Sequence, residues 1–269
     1  MRTSVASLGM YDHASQREAN DRLWSAIARI LRDRRVAGVP NRLERGRSVQ
    51  DGWHDPDLLF GQICGFPLVT DSSLALRVLA LPVYDAPGCG DALHRSFLVT
   101  RKGDADTLEA YRGRRAAIND RGSNTGMNLF RAKVAPLAGG GSFFGDVRET
   151  GAHRQSLSAI VMGEADIAAI DAVTFAAINR AEPELTASLQ TIGTTVASAT
   201  PPFVTARTTS IETVAALRMA LADVAADPGL ADVRAALFLA DIVPGGADRF
   251  TPLRALETDA AIAGYPELR

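Results

Sequence analysis

The stretch NDRGSNTGMNLF (119–130) decides how this chain is read. It follows a short apolar run, RAAIND (115–120), and leads into Met127, Phe130, Val134 and Leu137, which recur at the spacing of one helical face. A strand ending at Asp120 that turns through Gly122 into a helix starting near Asn124 leaves backbone N–H groups without intrahelical partners. With the positive end of the helix dipole, those groups form an anion socket. Ser123, Asn124 and Thr125 add side-chain donors, and Gly126 removes bulk where a ligand oxygen would approach. The same residue types are also the preferred helix caps, so the local pattern leaves a purely structural reading open.

Working outward, two further strand-to-helix passages carry polar residues. RETGAHRQS (148–156) puts His153 and Arg154 at a helix start, and LLFGQICGFPL (58–68) brings Gln62 and Cys64 to a strand tip where Gly65 and Phe66 begin a helix. Asp171 ends the apolar run ADIAAID (165–171), at the kind of carboxyl edge where open α/β sheets place ligands. Each residue has a plainer alternative. His153 serves as a surface residue, Gln62 as a hydrogen-bonding group within its own lobe, Cys64 as a small buried hydrophobe, and Asp171 as an N-cap, a role that can coexist with ligand binding.

The remaining pattern is α/β. TSVASL (3–8) reads as a first buried strand, and Leu23, Ile27, Ile30 and Leu31 mark a helix over roughly 14–34. LRVLALPVY (76–84) continues the first series, and alternating strands and helices point to parallel pairing with crossover helices. A second series runs from residue 115 through DVRETG (146–151), ADIAAID and LQTIGTT (189–195). FVTART (203–208) reads as a return strand, and the Ala-rich end carries Val214, Leu217, Leu221 and Val224 on one face. At 269 residues two lobes are expected, since single cores stop growing at about 250 residues. Extended segments near 95–102 and 200–208 read as crossovers, giving a discontinuous lobe one (1–98 and 204–269) and lobe two (99–203).

Composition removes several classes of function. Lys and Arg number 29 against 31 Asp and Glu, a formal net charge of −2 that gives no reason to expect a nucleic-acid partner. No apolar run approaches the roughly 18 residues of a membrane span, and the first residues lack the apolar core of a secretory signal, so the chain as written is expected to be soluble, and cytoplasmic if complete. Cys64 and Cys89 lack zinc-site spacing, and His13, His54, His94 and His153 are scattered, so no metal is expected. Neither GxGxxG nor a Walker lysine occurs, and no cofactor is expected.

Over most of its length the chain resembles the phosphonate/phosphite-type substrate-binding proteins of ABC importers. The resemblance is carried, in order, by DLLFGQICGFPL, by RSFLVTRKGDADTLEAYRGRRAAINDRGSNTGMNL, and by FFGDVRETGAHRQSLSAIVMGEADIAAIDAVTF. It implies a type 2 periplasmic binding-protein architecture: two Rossmann-like α/β lobes with mixed sheets, joined by two crossover strands, closing like a Venus flytrap on a small oxyanion in the cleft. It implies a ligand set of Ser123, Asn124, Thr125, His153 and Asp171 from lobe two, with Tyr11 and Gln62 from lobe one and Phe66 as a wall. Asp171 in that set hints at a zwitterionic or hydroxylated ligand. A periplasmic, monomeric, non-catalytic protein follows, delivering a phosphonate, phosphite or phosphate-like solute to an ABC permease. Two alternatives stay open: a cytosolic enzyme of the same fold acting on a small anionic metabolite through Cys64, His153 or Asp171, and a ligand-sensing module.

Overall fold

The computed structural model describes residues 4–269, so the first residue of the TSVASL reading lies outside the described residues. In chain order the strands are β1 (Val5–Ser7), β2 (Leu58–Gln62), β3 (Leu76–Tyr84), β4 (Leu93–His94), β5 (Ser96–Arg101) and β6 (Arg115–Ile118). They continue as β7 (Asp146–Glu149), β8 (Ile167–Asp171), β9 (Leu189–Thr194), β10 (Ser198–Ala199), β11 (Phe203–Ala206) and β12 (Leu239–Val243). The helices are α1 (Arg17–Asp33), α2 (Val49–Trp53), α3 (Gly65–Thr70), α4 (Leu129–Ala138) and α5 (His153–Val161). After them come α6 (Ala172–Ala181), α7 (Pro183–Thr186), α8 (Ile211–Ala226), α9 (Ala231–Ala236) and α10 (Thr251–Ile262). Among the described residues no helix is long and apolar enough to cross a membrane.

The chain divides into two compact units. The first runs to Asp85 and adds Gly90–Ala92 and Ala199–Arg249. Its sheet has the order β1-β2-β11-β3-β12, with β1 parallel to β2 while β11 is antiparallel to β2 and β3, and β12 antiparallel to β3. The sheet is therefore mixed, and FVTART supplies the return strand that makes it so. Leu58, Leu59 and Phe60 are all buried, which is why this strand shows a continuous apolar run with no alternation. In α1, Leu23, Ile27 and Leu31 are buried while Asp21, Arg22 and Arg29 face solvent, and the apolar stripe packs on α8, whose Val214, Leu217, Leu221 and Val224 are buried in turn. Between helix and sheet, Trp24 stacks on Phe60 with ring centroids 5.6 Å apart, and Phe60 stacks on Phe203 at 5.3 Å.

The second unit comprises Ala86–Cys89, Leu93–Ser198 and Phe250–Arg269. Its sheet has the order β7-β6-β8-β5-β9, with β6 parallel to β7 and β8, and β5 antiparallel to β8 and β9. Val99, Ile170, Leu157, Ile160 and Ile178 form its core. The edge strand β7 exposes Asp146, Arg148 and Glu149, charges that disfavour pairing with another chain.

Two segments sit differently from the sequence expectation. Residues 96–101, read as a crossover, form an interior strand of the second sheet. The last residues, read as part of lobe one, pack in the second unit: the Phe143 and Phe144 N–H groups donate to the Arg269 carbonyl at 2.7 and 3.0 Å. Asn128 Nδ2 donates to the Leu253 carbonyl at 3.3 Å and an Arg131 nitrogen to the Pro266 carbonyl at 2.9 Å, so α10 and the tail brace α4. A Cβ on Gly264 would lie 3.0 Å from the Gly140 Cα, and the φ of 76° at Gly264 is itself a glycine conformation. Nothing in the local pattern of two Ala-rich helices tells which sheet each will cover.

Phe60 is 0 % exposed and held between two rings, so Phe60→Ala is expected to destabilise the protein by about 3–5 kcal/mol, read as a lower urea midpoint.

Candidate functional site

The loop after β6 folds on itself before the next helix begins. Gly122 N–H donates to Asp120 Oδ1 at 2.6 Å and Ser123 N–H to the Asp120 carbonyl at 3.1 Å. Ser123 then caps the helix start, its Oγ accepting from Gly126 N–H at 3.0 Å. The first turn is wider than an α-turn: Asn128 N–H reaches back five residues to the Ser123 carbonyl at 3.0 Å, and Leu129 N–H to the Asn124 carbonyl. Residues 124–128 thus form a π-type turn ahead of α4, the kind of irregularity that recurs at functional sites and that periodicity does not reveal. Ser123 through Asn128 are all buried.

Gly126 has a different use from the one expected. A Cβ there would stand 1.7 Å from Asn119 Oδ1 and 3.1 Å from His153 Cε1, so the space its missing side chain leaves is taken by Asn119 and His153. His153 opens α5 and brings Nε2 to 3.2 Å from Thr125 Oγ1. The Thr125 carbonyl accepts from Ser96 Oγ at 2.7 Å, tying the turn to β5. Asn124, 1 % exposed, is engaged on both sides: Nδ2 donates to Ser198 Oγ at 2.9 Å and Oδ1 accepts from Asn128 Nδ2 at 3.3 Å. Its side chain braces the turn. Arg154, beside His153, points elsewhere and grips Glu182, with Nε 2.9 Å and 3.0 Å from its two oxygens.

Asp171 caps α6, its Oδ1 accepting Thr174 N–H at 2.9 Å, and its Oδ2 lies 2.9 Å from Nδ1 of His94. Both side chains are almost fully buried. Burial pushes the Asp171 carboxyl up, but the His94 hydrogen bond and charge, the nearby His153 and the Thr174 N–H together pull it down to about 2. The cap was legible in the sequence and the His94 partner was not, because 77 residues separate the pair. The antiparallel register that sets Ser96 opposite Asp171 is what brings His94 there.

In the first unit, Gln62 Nε2 donates to the Tyr84 hydroxyl and to the Pro201 carbonyl, both at 2.9 Å. Tyr11 meets Tyr84 edge to face, with centroids 5.4 Å apart. Tyr11, Gln62 and Tyr84 line a small pocket with Leu8, Asn20 and Phe203; Phe66, buried at the start of α3, is not among its lining residues. Tyr84 escaped the sequence reading because it looked like the last residue of an apolar strand. Cys64 is buried, consistent with a small hydrophobe. Among the described residues no group of His, Cys, Asp and Glu is arranged to hold a metal ion.

Two mixed-sheet α/β units, one with a buried, hydroxyl-rich helix start, define a periplasmic-binding-protein architecture of the second type. The profile of the family "ABC transporter, phosphonate, periplasmic substrate-binding protein" matches residues 57–250, and the chain belongs to that family of solute-binding proteins. The family assignment implies a small-solute ligand and an ABC permease partner, and the family is typically periplasmic. Among solved structures, a binding-protein component of an ABC phosphonate transporter from Pseudomonas aeruginosa is similar at TM-score 0.76 and 16 % identity, covering 97 % of this chain and 88 % of its own. PhnD1 from Prochlorococcus marinus, in complex with methylphosphonate, is similar at TM-score 0.71 and 12 % identity, over 96 % of this chain and 98 % of its own. A Xanthomonas citri protein bound to chloride ion gives TM-score 0.72 and 12 % identity, with coverage of 97 % and 98 %. No curated protein matches the chain in sequence.

Gly126→Ala forces Asn119 or His153 out of place and is expected to cost about 1–3 kcal/mol in a denaturant titration. Asp171 titrates below its ordinary 3.8, so its contribution is complete above about pH 4 and is lost as pH falls through about 2. Wild-type stability should therefore drop about 2 kcal/mol more than that of Asp171→Asn between those limits, measured by urea unfolding at each pH.

Proposed function

We propose that the solute is a small phosphorus oxyanion, a phosphonate, phosphite or phosphate, and that the helix start at Ser123 and Thr125, with His153, receives its oxygens. The observation that carries this reading is the contact of Thr125 Oγ1 with His153 Nε2 at 3.2 Å, set at a buried helix start where amides and dipole favour negative charge. Asn124 and Asp171 belong to the site as its frame: one braces the turn, the other orders the strand end and α6. The family assignment and the methylphosphonate complex of the Prochlorococcus neighbour support the ligand class. In this reading the protein acts as a monomer, captures the solute without changing it and presents it to the permease.

A second reading deserves its own test, because a hydroxyl set against an imidazole is also the pairing of a nucleophile with a base. Binding predicts one equivalent of phosphonate held per chain with no product; an enzyme predicts consumption far beyond one equivalent.

Isothermal titration with methylphosphonate, phosphite and phosphate is expected to give a saturable, exothermic isotherm for at least one of them. Heat from none, with a folded sample, would sink the ligand class. Replacing the two hydroxyls, Ser123→Ala with Thr125→Val, should weaken that binding by at least about 1.5 kcal/mol, the low end for hydrogen bonds to a charged group. Because Ser123 also caps the turn, the double variant should melt lower as well, by about 1 kcal/mol of stability.

A further inference from the structure

Among the candidate ligand residues gathered in the second unit, Asp171 is the acidic one, and it is the group that a cationic amine on the solute would need. Its carboxylate already has partners on both oxygens: His94 Nδ1 at 2.9 Å on Oδ2, and Thr174 N–H at 2.9 Å on Oδ1. Asp171 is 3 % exposed and His94 2 %. An ammonium arriving there would have to shed its water and share the carboxylate with an imidazole that is hydrogen-bonded to it, a desolvation cost with little return. Two other acids near these elements face arginines: Glu149 lies 3.7 Å from Arg121, and Glu182 grips Arg154. Asp120 turns Oδ1 back onto the Gly122 N–H of its own loop. The hydroxyl and imidazole groups at the helix start suit oxygens, and they offer an ammonium no carboxylate.

We infer that His94 determines specificity at this site: by occupying Asp171 it selects phosphorus oxyanions that carry no cationic amine. This rests on the oxyanion reading above and narrows its substrate class. It also reverses the hint of a zwitterionic ligand that Asp171 gives when its buried partner is unknown. His94 acts through Asp171 and is a positioning residue, so its signature is a change in the ratio of two affinities and not a uniform loss of binding.

The test is a matched pair of ligands, ethylphosphonate and 2-aminoethylphosphonate, which differ only by the amine, titrated calorimetrically into the whole protein at neutral pH. Ethylphosphonate is expected to bind at least about tenfold more tightly. In His94→Asn, which keeps a hydrogen-bonding group but removes the imidazole, the preference should narrow by at least about threefold, with circular dichroism confirming the fold. Equal or tighter binding of the amine by the wild type overturns the inference and leaves the oxyanion reading standing. An unchanged ratio in folded His94→Asn overturns the role given to His94. If neither ligand binds while phosphite or phosphate does, the inference falls and the oxyanion reading survives; if no phosphorus oxyanion binds, both fall.

Discussion

The contact between His94 and Asp171 is the interaction on which the polar edge of the second unit depends. A carboxylate with 3 % exposure has lost nearly all its water, and it stays ionised because imidazole and backbone N–H groups replace that water at fixed positions. The consequences spread along three elements. Asp171 terminates β8 and starts α6 through Thr174, while His94 ties it to β4. Its charge also reaches His153, whose Nε2 meets Thr125 at the helix start. Electrostatics that look local therefore link two helix starts to strand ends in two different sheets, β8 in the five-stranded one and β4 in the pair it forms with β10.

The wide turn at 124–128 depends on packing as much as on hydrogen bonding. Widening the turn leaves Asn124 and Asn128 buried, where the two amides satisfy each other together with Ser198 and Arg131. Such a network is stable only if every member has a partner, and the chain supplies the last ones from its far end, where carbonyls of Leu253 and Pro266 accept from Asn128 and Arg131. The tail is thus part of the support for the helix start, and the geometry at Ser123 and Thr125 is braced by residues more than a hundred positions away.

Much of this was legible beforehand. The strand tips, the cap at Ser123, the apolar stripes of α1 and α8 and the α/β class follow from periodicity and residue chemistry, because a helix or strand must bury one repeating face wherever it ends up. Asp171 as a cap follows from a local rule of the same kind. His94 did not emerge, since a lone histidine before a strand carries no periodic or spacing signal. The unit membership of residues 250–269 also stayed hidden, because an Ala-rich helix carries no local signal of which sheet it will cover. Gly126 was expected to clear space for a ligand oxygen, but Asn119 and His153 fill that space, a packing relation that local sequence does not show.

By itself, then, the sequence determined most of the segments that form strands and helices (though not β12), where polar residues leave the strands, and that a helix start rich in hydroxyl and amide donors follows β6. These are properties of neighbours within a few residues, set by hydrogen-bond geometry and side-chain periodicity. The tertiary structure alone decided which of those donors keep their hydrogen bonds for the protein itself and which carboxylate is already hydrogen-bonded within it. Those outcomes depend on register between strands and on desolvation, and both arise only when residues distant along the chain are brought out of water together.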